Sequence, residues 1–205
     1  MTRFLSALLL TVSFTGSGRA EIIDRILAVV DGAIIMQSDV TMAVRLGLVP
    51  GSTAADPIAA PLDALIERRL MLAEVDRYAP PDPPDADVER HLADLRTRAG
   101  ARFDLILTES GISVDQLRRH LRDDLRIESY LQQRFGTMQP SDDEITQYYR
   151  DHQSAFTRNG VVAPQEDVRD VARTELIAER RSATIRDWIA GLRKRANVNV
   201  LPRTQ

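Results

Sequence analysis

The sequence predicts a mainly α-helical fold with a small sheet formed by an N-terminal β-hairpin and a C-terminal strand. Three observations predict it. Two aliphatic runs flank Asp31-Gly32 near the start. From residue 61 to residue 196, apolar residues recur at spacings of three and four, and Pro or Gly punctuates the runs. The chain then closes on Asn197-Val198-Asn199-Val200-Leu201, whose apolar residues alternate as one face of a strand does.

Taken in order, Ile22 to Val30 reads as a strand and Ala33 to Met36 as its return. Asp-Gly between them is a strong hairpin signal, because a type I′ turn needs positive φ at both central residues. Ser38 or Asp39 is placed to cap a short helix running to about Leu48, where Pro50-Gly51 stops it. Residues 50–60 form a Gly/Ser/Ala/Pro loop. From Pro61 an amphipathic helix carries Leu62, Leu65, Ile66, Leu70 and Val75, and Pro80 to Pro84 ends it. Helices follow from Asp85 to Ala99 and from Phe103 to Glu109, the second closed by Gly111. Ser113 caps a long helix through Leu117, Leu121, Leu125 and Leu131 to Phe135. Ser141 with Glu144 three residues on forms a capping box, opening a helix that carries Ile145, Tyr148, Tyr149 and Phe156. Residues 157–163 read as a linker. From Pro164 to Ala196 the longest helical pattern has Val168, Val171, Ile185, Trp188, Ile189 and Leu192 on its apolar side, and the polar Glu179–Arg181 patch reads as a solvated face. The last strand needs a partner, and the N-terminal hairpin is the only one this reading supplies. Residues 21–201 are therefore expected to form one domain closed by both ends of the chain, with 202–205 as a tail.

Residues 1–20 have the pattern of a cleaved export signal. Arg3 precedes a short apolar run from Phe4 to Val12, and Gly18 and Ala20 suit a signal-peptidase site before Glu21. The run is too short to span a bilayer, so no stable membrane insertion is expected, and the mature protein is expected in the periplasm. Residues 1–20 contain two basic residues and no acidic one, so their removal takes the formal charge from −3 to about −5. That balance argues against a nucleic-acid partner, which calls for a positive stripe. The chain has no cysteine, which excludes disulfides, thiol catalysis and thiolate metal sites.

Catalytic patterns are not found. His91, His120 and His152 lie in separate helices among charged neighbours, and each reads as a surface histidine. Asp123 and Asp124 sit beside Arg122 and Arg126, as pairs along one helix surface would. Asp142, Asp143 and Glu144 suit a helix N-terminus. No Gly-x-Ser-x-Gly and no phosphate-binding glycine loop occurs. The reading is of a protein that is not an enzyme and that carries no metal or other cofactor.

The order of elements, with four stretches in particular, resembles the SurA and parvulin-containing chaperone family. Arg25 to Val40 is similar to that family's opening strand, turn, second strand and Ser-Asp helix start. Leu65-Ile66-Glu67-Arg68-Arg69-Leu70-Met71 looks like its next helix, and Ile112 to Arg119 resembles a later one. Pro140 to Tyr149 is similar to the helix that leads into a parvulin prolyl-isomerase domain. The resemblance implies a helical chaperone core of the SurA and trigger-factor peptide-binding type. It also implies a departure: a module of roughly a hundred residues usually follows that helix, whereas seven residues separate Phe156 from Pro164 here. The isomerase domain is therefore expected to be missing.

On this resemblance the protein is expected to be an ATP-independent holdase. It would bind unfolded or extended polypeptides, outer-membrane protein precursors being candidate clients. A dedicated subunit for one exported partner is the alternative, and a degenerate isomerase ranks below it. Candidate peptide-binding residues are the adaptable Met36, Met42, Met71 and Met138, with Leu46 beside them. Phe103, Ile106 and Leu107 form a second candidate patch, and core filling is the competing reading for each.

Overall fold

The computed structural model describes residues 24–137 and 139–202. The export signal, the Ala20/Glu21 junction and Met138 lie outside the described residues. Strands β1 (Ile26–Val30) and β2 (Ala33–Met36) form the expected hairpin. Asp31 at φ 47° and Gly32 at φ 85° supply the two left-handed residues its turn requires. Helices follow as α1 (Gln37–Arg45), α2 (Ala59–Tyr78), α3 (Asp85–Ala99), α4 (Phe103–Ser110), α5 (Val114–Phe135) and α6 (Asp142–Asp151). A short hairpin of β3 (Thr157–Arg158) and β4 (Val161–Val162) leads to α7 (Gln165–Arg195) and β5 (Val198–Val200).

The two ends of the described chain meet in one antiparallel sheet of order β2-β1-β5. Val29 pairs with Ile34 on one side and Asn199 on the other, and Ala28 with Ile35 and Val200. The pairing extends beyond the strands: Leu201 donates its N–H to the Leu27 carbonyl at 2.9 Å, and Asn197 donates to the Asp31 carboxylate at 2.8 Å. Ala28, Val30 and Ile35 turn inward onto Leu62, Leu65, Ile66 and Leu70 of α2 and Leu192 of α7. Buried aliphatic area of this kind contributes roughly 25 cal/mol per Å² and is the main force joining sheet to helices.

Three further apolar clusters complete the packing. One gathers Met42 of α1 and Leu46 with Val88, Leu92 and Leu95 of α3, Phe103, Ile106 and Leu107 of α4, and Leu117 and Leu121 of α5. A second joins Leu72 and Val75 of α2 to Ile127 and Tyr130 of α5, with Trp188 of α7 against them. The third, at the other end of α7, holds Ile145 of α6, Phe156, and Val168, Ala172 and Leu176.

The caps follow local rules. Ser113 accepts from the Gln116 N–H, Ser141 accepts from the Glu144 N–H, and the long side chain in each case reaches back to the cap. The start of α1 differs from expectation. The helix begins at Gln37, and Asp39 in its first turn accepts from the Met36 N–H at 2.8 Å. Ser38 bonds instead to the Asp24 carboxylate.

Residues 157–163 are also not a plain linker. Thr157 pairs with Val162 and Arg158 with Val161. Asn159 and Gly160 both have positive φ at the turn, so the Asn-Gly signal for a second hairpin was present in the sequence. The expectation that strands occur only at the chain ends is corrected accordingly. Phe156, expected on α6, lies beyond its end and packs back on that helix.

Candidate functional site

α2 and α5 lie side by side, and the middle of α7 approaches them both. Between them is an open cleft of about 330 Å³ whose apolar wall is Leu48, Val49, Ala64, Met71, Ile127 and Leu131. A second groove of about 290 Å³ runs along β2, past Ala33, Ile34 and Ile35, and is floored by Leu65, Arg69 and Asp39. Arg68 and His120 line both, so the two adjoin at these side chains. Ile34 stands half exposed at the β2 end, on an edge strand of the sheet.

The junction is polar and mutually bonded. Arg68 of α2 crosses to α5, with Nε 2.5 Å from Asp124 and its far nitrogen donating to the His120 carbonyl at 2.9 Å. Asp123 lies 3.9 Å from the same guanidinium. Burial pushes Asp123 above the usual carboxylate range, with Arg68 and Arg126 pulling the other way. Burial likewise raises Asp39, which the Met36 N–H bond partly counters. His120 is held near Asp124 at 3.8 Å. Burial, reinforced by the Arg68 charge, brings its pKa down to about 4, so the imidazole is neutral at pH 7.

This corrects two sequence expectations. His120 is not a surface histidine but a half-buried one at the crossing of two grooves. Asp123 keeps a pair with Arg126 along α5 at 3.6 Å, but Asp123 and Asp124 also serve a helix-to-helix contact with Arg68, while Arg122 reaches Asp85 and Arg126 reaches Asp76. Arginine can make such contacts because its stem spans the gap between packed helices while its planar head binds carboxylates with two nitrogens. The other two histidines behave as local features, each placing Nδ1 2.9 Å from a carbonyl one turn back.

The candidate peptide-binding residues separate into two groups. Met71 lines the cleft, and Met36 sits half-buried at the start of α1. Met42, Leu46, Phe103, Ile106 and Leu107 are buried in the packing of α1, α3, α4 and α5. They are core as folded, and a client could reach them only if those helices parted. The reason is geometric: α4 presents Phe103, Ile106 and Leu107 on one face, and that face meets α1 and α3, leaving Leu105 outside.

The sequence reading missed Leu48, Val49, Ile127, Leu131, Arg68, His120 and Arg181 as cleft residues. Only the apolar stripe of α5 carried a signal for them. Arg181, read as part of a solvated patch, lines the cleft, and its Nε is buried without a hydrogen-bond partner among the described residues. Chemically, the site offers apolar contact along an extended path, an exposed strand edge and fixed charges at intervals.

The sequence matches no family model and no curated protein. A solved structure from Campylobacter jejuni, from work describing the virulence factor PEB4 and the periplasmic protein Cj1289 as SurA-like chaperones, has the same fold. Its TM-score is 0.54 at 13% identity, over 87% of this chain and 99% of that one. Among the described residues no helix is long and apolar enough to cross a membrane.

Proposed function

We propose that the protein is an ATP-independent periplasmic chaperone, not an enzyme, that holds extended segments of exported polypeptides in the cleft between α2, α5 and α7. The observation that carries this is the pair of adjoining grooves, one along the β2 edge and one walled by Met71, Ile127 and Leu131. An extended chain fits such a path, because its backbone can meet a strand edge while alternate side chains meet apolar walls. The fold shared with a SurA-like chaperone and the export-type leader agree with the same reading.

Holding requires no energy source. A client segment bound in the groove is withdrawn from aggregation by mass action and is released as it finds its own folded state. The mixed wall suits varied clients: Met71 is unbranched and polarizable, and aliphatic side chains impose little sequence preference. Outer-membrane protein precursors, rich in exposed apolar strands before assembly, are the client class proposed.

The test is aggregation suppression by residues 21–205 at stoichiometric ratios without ATP, using a denatured outer-membrane protein and a denatured soluble one. Suppression of the membrane client at several-fold lower ratio is expected. Met71→Glu, which places a charge in the cleft wall, should weaken suppression several-fold while thermal unfolding remains cooperative. Suppression of neither client would reject the holdase and favour a subunit dedicated to one partner.

A further inference from the structure

Arg181 sits in the middle of α7, where the helix passes over the cleft. Arg186 and Arg195 on this helix stand exposed to solvent. Four others have carboxylates at hand: Arg169 meets Asp142 at 2.5 Å, Arg173 meets Asp170 at 2.7 Å, Arg180 meets Glu144 at 2.8 Å and Arg193 meets Asp63 at 2.9 Å. Arg181 has none among the described residues. Its side chain is half-buried, it lines the cleft beside Ile127 and Leu131, and its Nε is shut off from solvent with no acceptor. The cleft's own carboxylates do not serve it. Asp124 is engaged by Arg68, and Glu128, on the same wall, forms no ion pair with it. A guanidinium partly withdrawn from water and without an ion-pair partner gains from a carboxylate that reaches its accessible nitrogens from the cleft.

We infer that Arg181 makes the cleft select extended apolar segments that carry an acidic side chain. The inference rests on the proposed function, since it names the class of segment that the cleft prefers. The occupant is an internal segment rather than a chain terminus. The cleft is open and adjoins the groove along β2 at Arg68 and His120, so a chain laid across both presents internal residues to Arg181 on the cleft wall. An aspartate or glutamate flanked by aliphatic residues meets Arg181 with its side chain, and its neighbours meet Leu48, Val49 and Met71.

The experiment measures binding of three short labelled apolar peptides by fluorescence anisotropy. The first has one central Asp and an amidated C-terminus, the second has Asn in its place, and the third is the Asn peptide with a free terminal carboxylate. Wild type should bind the Asp peptide about tenfold more tightly than the amidated Asn peptide, as one charge-assisted contact allows. Arg181→Gln should abolish that difference, so that the Asp and amidated Asn peptides bind alike, with a melting temperature no lower than wild type because no ion pair is lost. Arg181→Lys should keep part of the preference, and Arg186→Gln, on the exposed side of α7, should keep all of it.

Equal binding of the Asp and Asn peptides by wild type would overturn the inference and leave the proposed function standing. A preference for the free-terminus peptide that disappears in Arg181→Gln would overturn the assignment to an internal acidic side chain. Failure of all three peptides to bind would reject the cleft as a polypeptide site and this inference with it.

Discussion

His120 shows how position alone can set the chemistry of a residue. Its exposed side-chain fraction is 20%, with Arg68 of α2 on one side and Asp124 on the other. Its folded pKa, about 4, lies below the ordinary 6.5. The unfolded chain therefore binds more protons between those values, and stability falls as pH drops through that window. At pH 5 the loss is about 2 kcal/mol by linkage. Asp39 and Asp123 act oppositely. Their raised pKa values mean that protonation relieves an unfavourable burial, so they offset the loss as pH nears the carboxylate range. The urea midpoint of wild type should fall from pH 7 to pH 5, and that of His120→Gln should fall much less. Equal slopes would show that His120 titrates normally.

At the scale of elements, α6 and the β3–β4 hairpin are tied to the rest chiefly through α7. Ile145 is fully buried against Phe156, Val168, Ala172 and Leu176, and Tyr149 donates to the Ala163 carbonyl at 2.6 Å. Arg180 draws Glu144 toward α7, and with the Ser141 contacts this holds the carboxyl down to about 2. The cluster is small and distinct from the packing around the sheet. Ile145→Ala, at about 2–5 kcal/mol for a truncated core side chain, should open it locally. Hydrogen exchange should then quicken in α6 and the first half of α7 while β1 amides keep their protection. Loss of protection in β1 to the same degree would show instead that the two regions unfold as one unit.

For the whole molecule, the decisive contact is the return of β5 to β1. It closes the sheet on one side, and the Leu192 and Trp188 side chains approach the same core from α7. Removing residues 197–205 takes away the pairing of Val198 with Val30 and of Val200 with Ala28, and leaves β1 with a bare edge. An uncovered strand edge is both less stable and prone to pair with other chains. The shortened protein should melt several degrees lower and show concentration-dependent association in light scattering. An unchanged melting temperature would mean that α7 alone holds the end in place.

What the sequence by itself determined was local. The Asp31-Gly32 turn, the Ser113 and Ser141 boxes, the helix stops at Gly111 and Pro80, and the alternating final strand are each governed by a few neighbouring residues. The chain therefore carries their instructions in short words. The Asn159-Gly160 turn carries the same kind of signal, but its strands are only two residues each, and so short a stretch reads as a Gly-containing linker. Only tertiary structure decided which apolar residues became core and which became cleft. Met42 and Met71 have the same chemistry, yet one is enclosed by α3, α4 and α5 while the other faces the gap beside α7. Arg68 meeting Asp124 across 56 residues, and Arg181 meeting no carboxylate among the described residues, are likewise facts of helix placement. Periodicity tells a helix which side to bury but not what it will bury against, and the cleft is defined by where that burial stops.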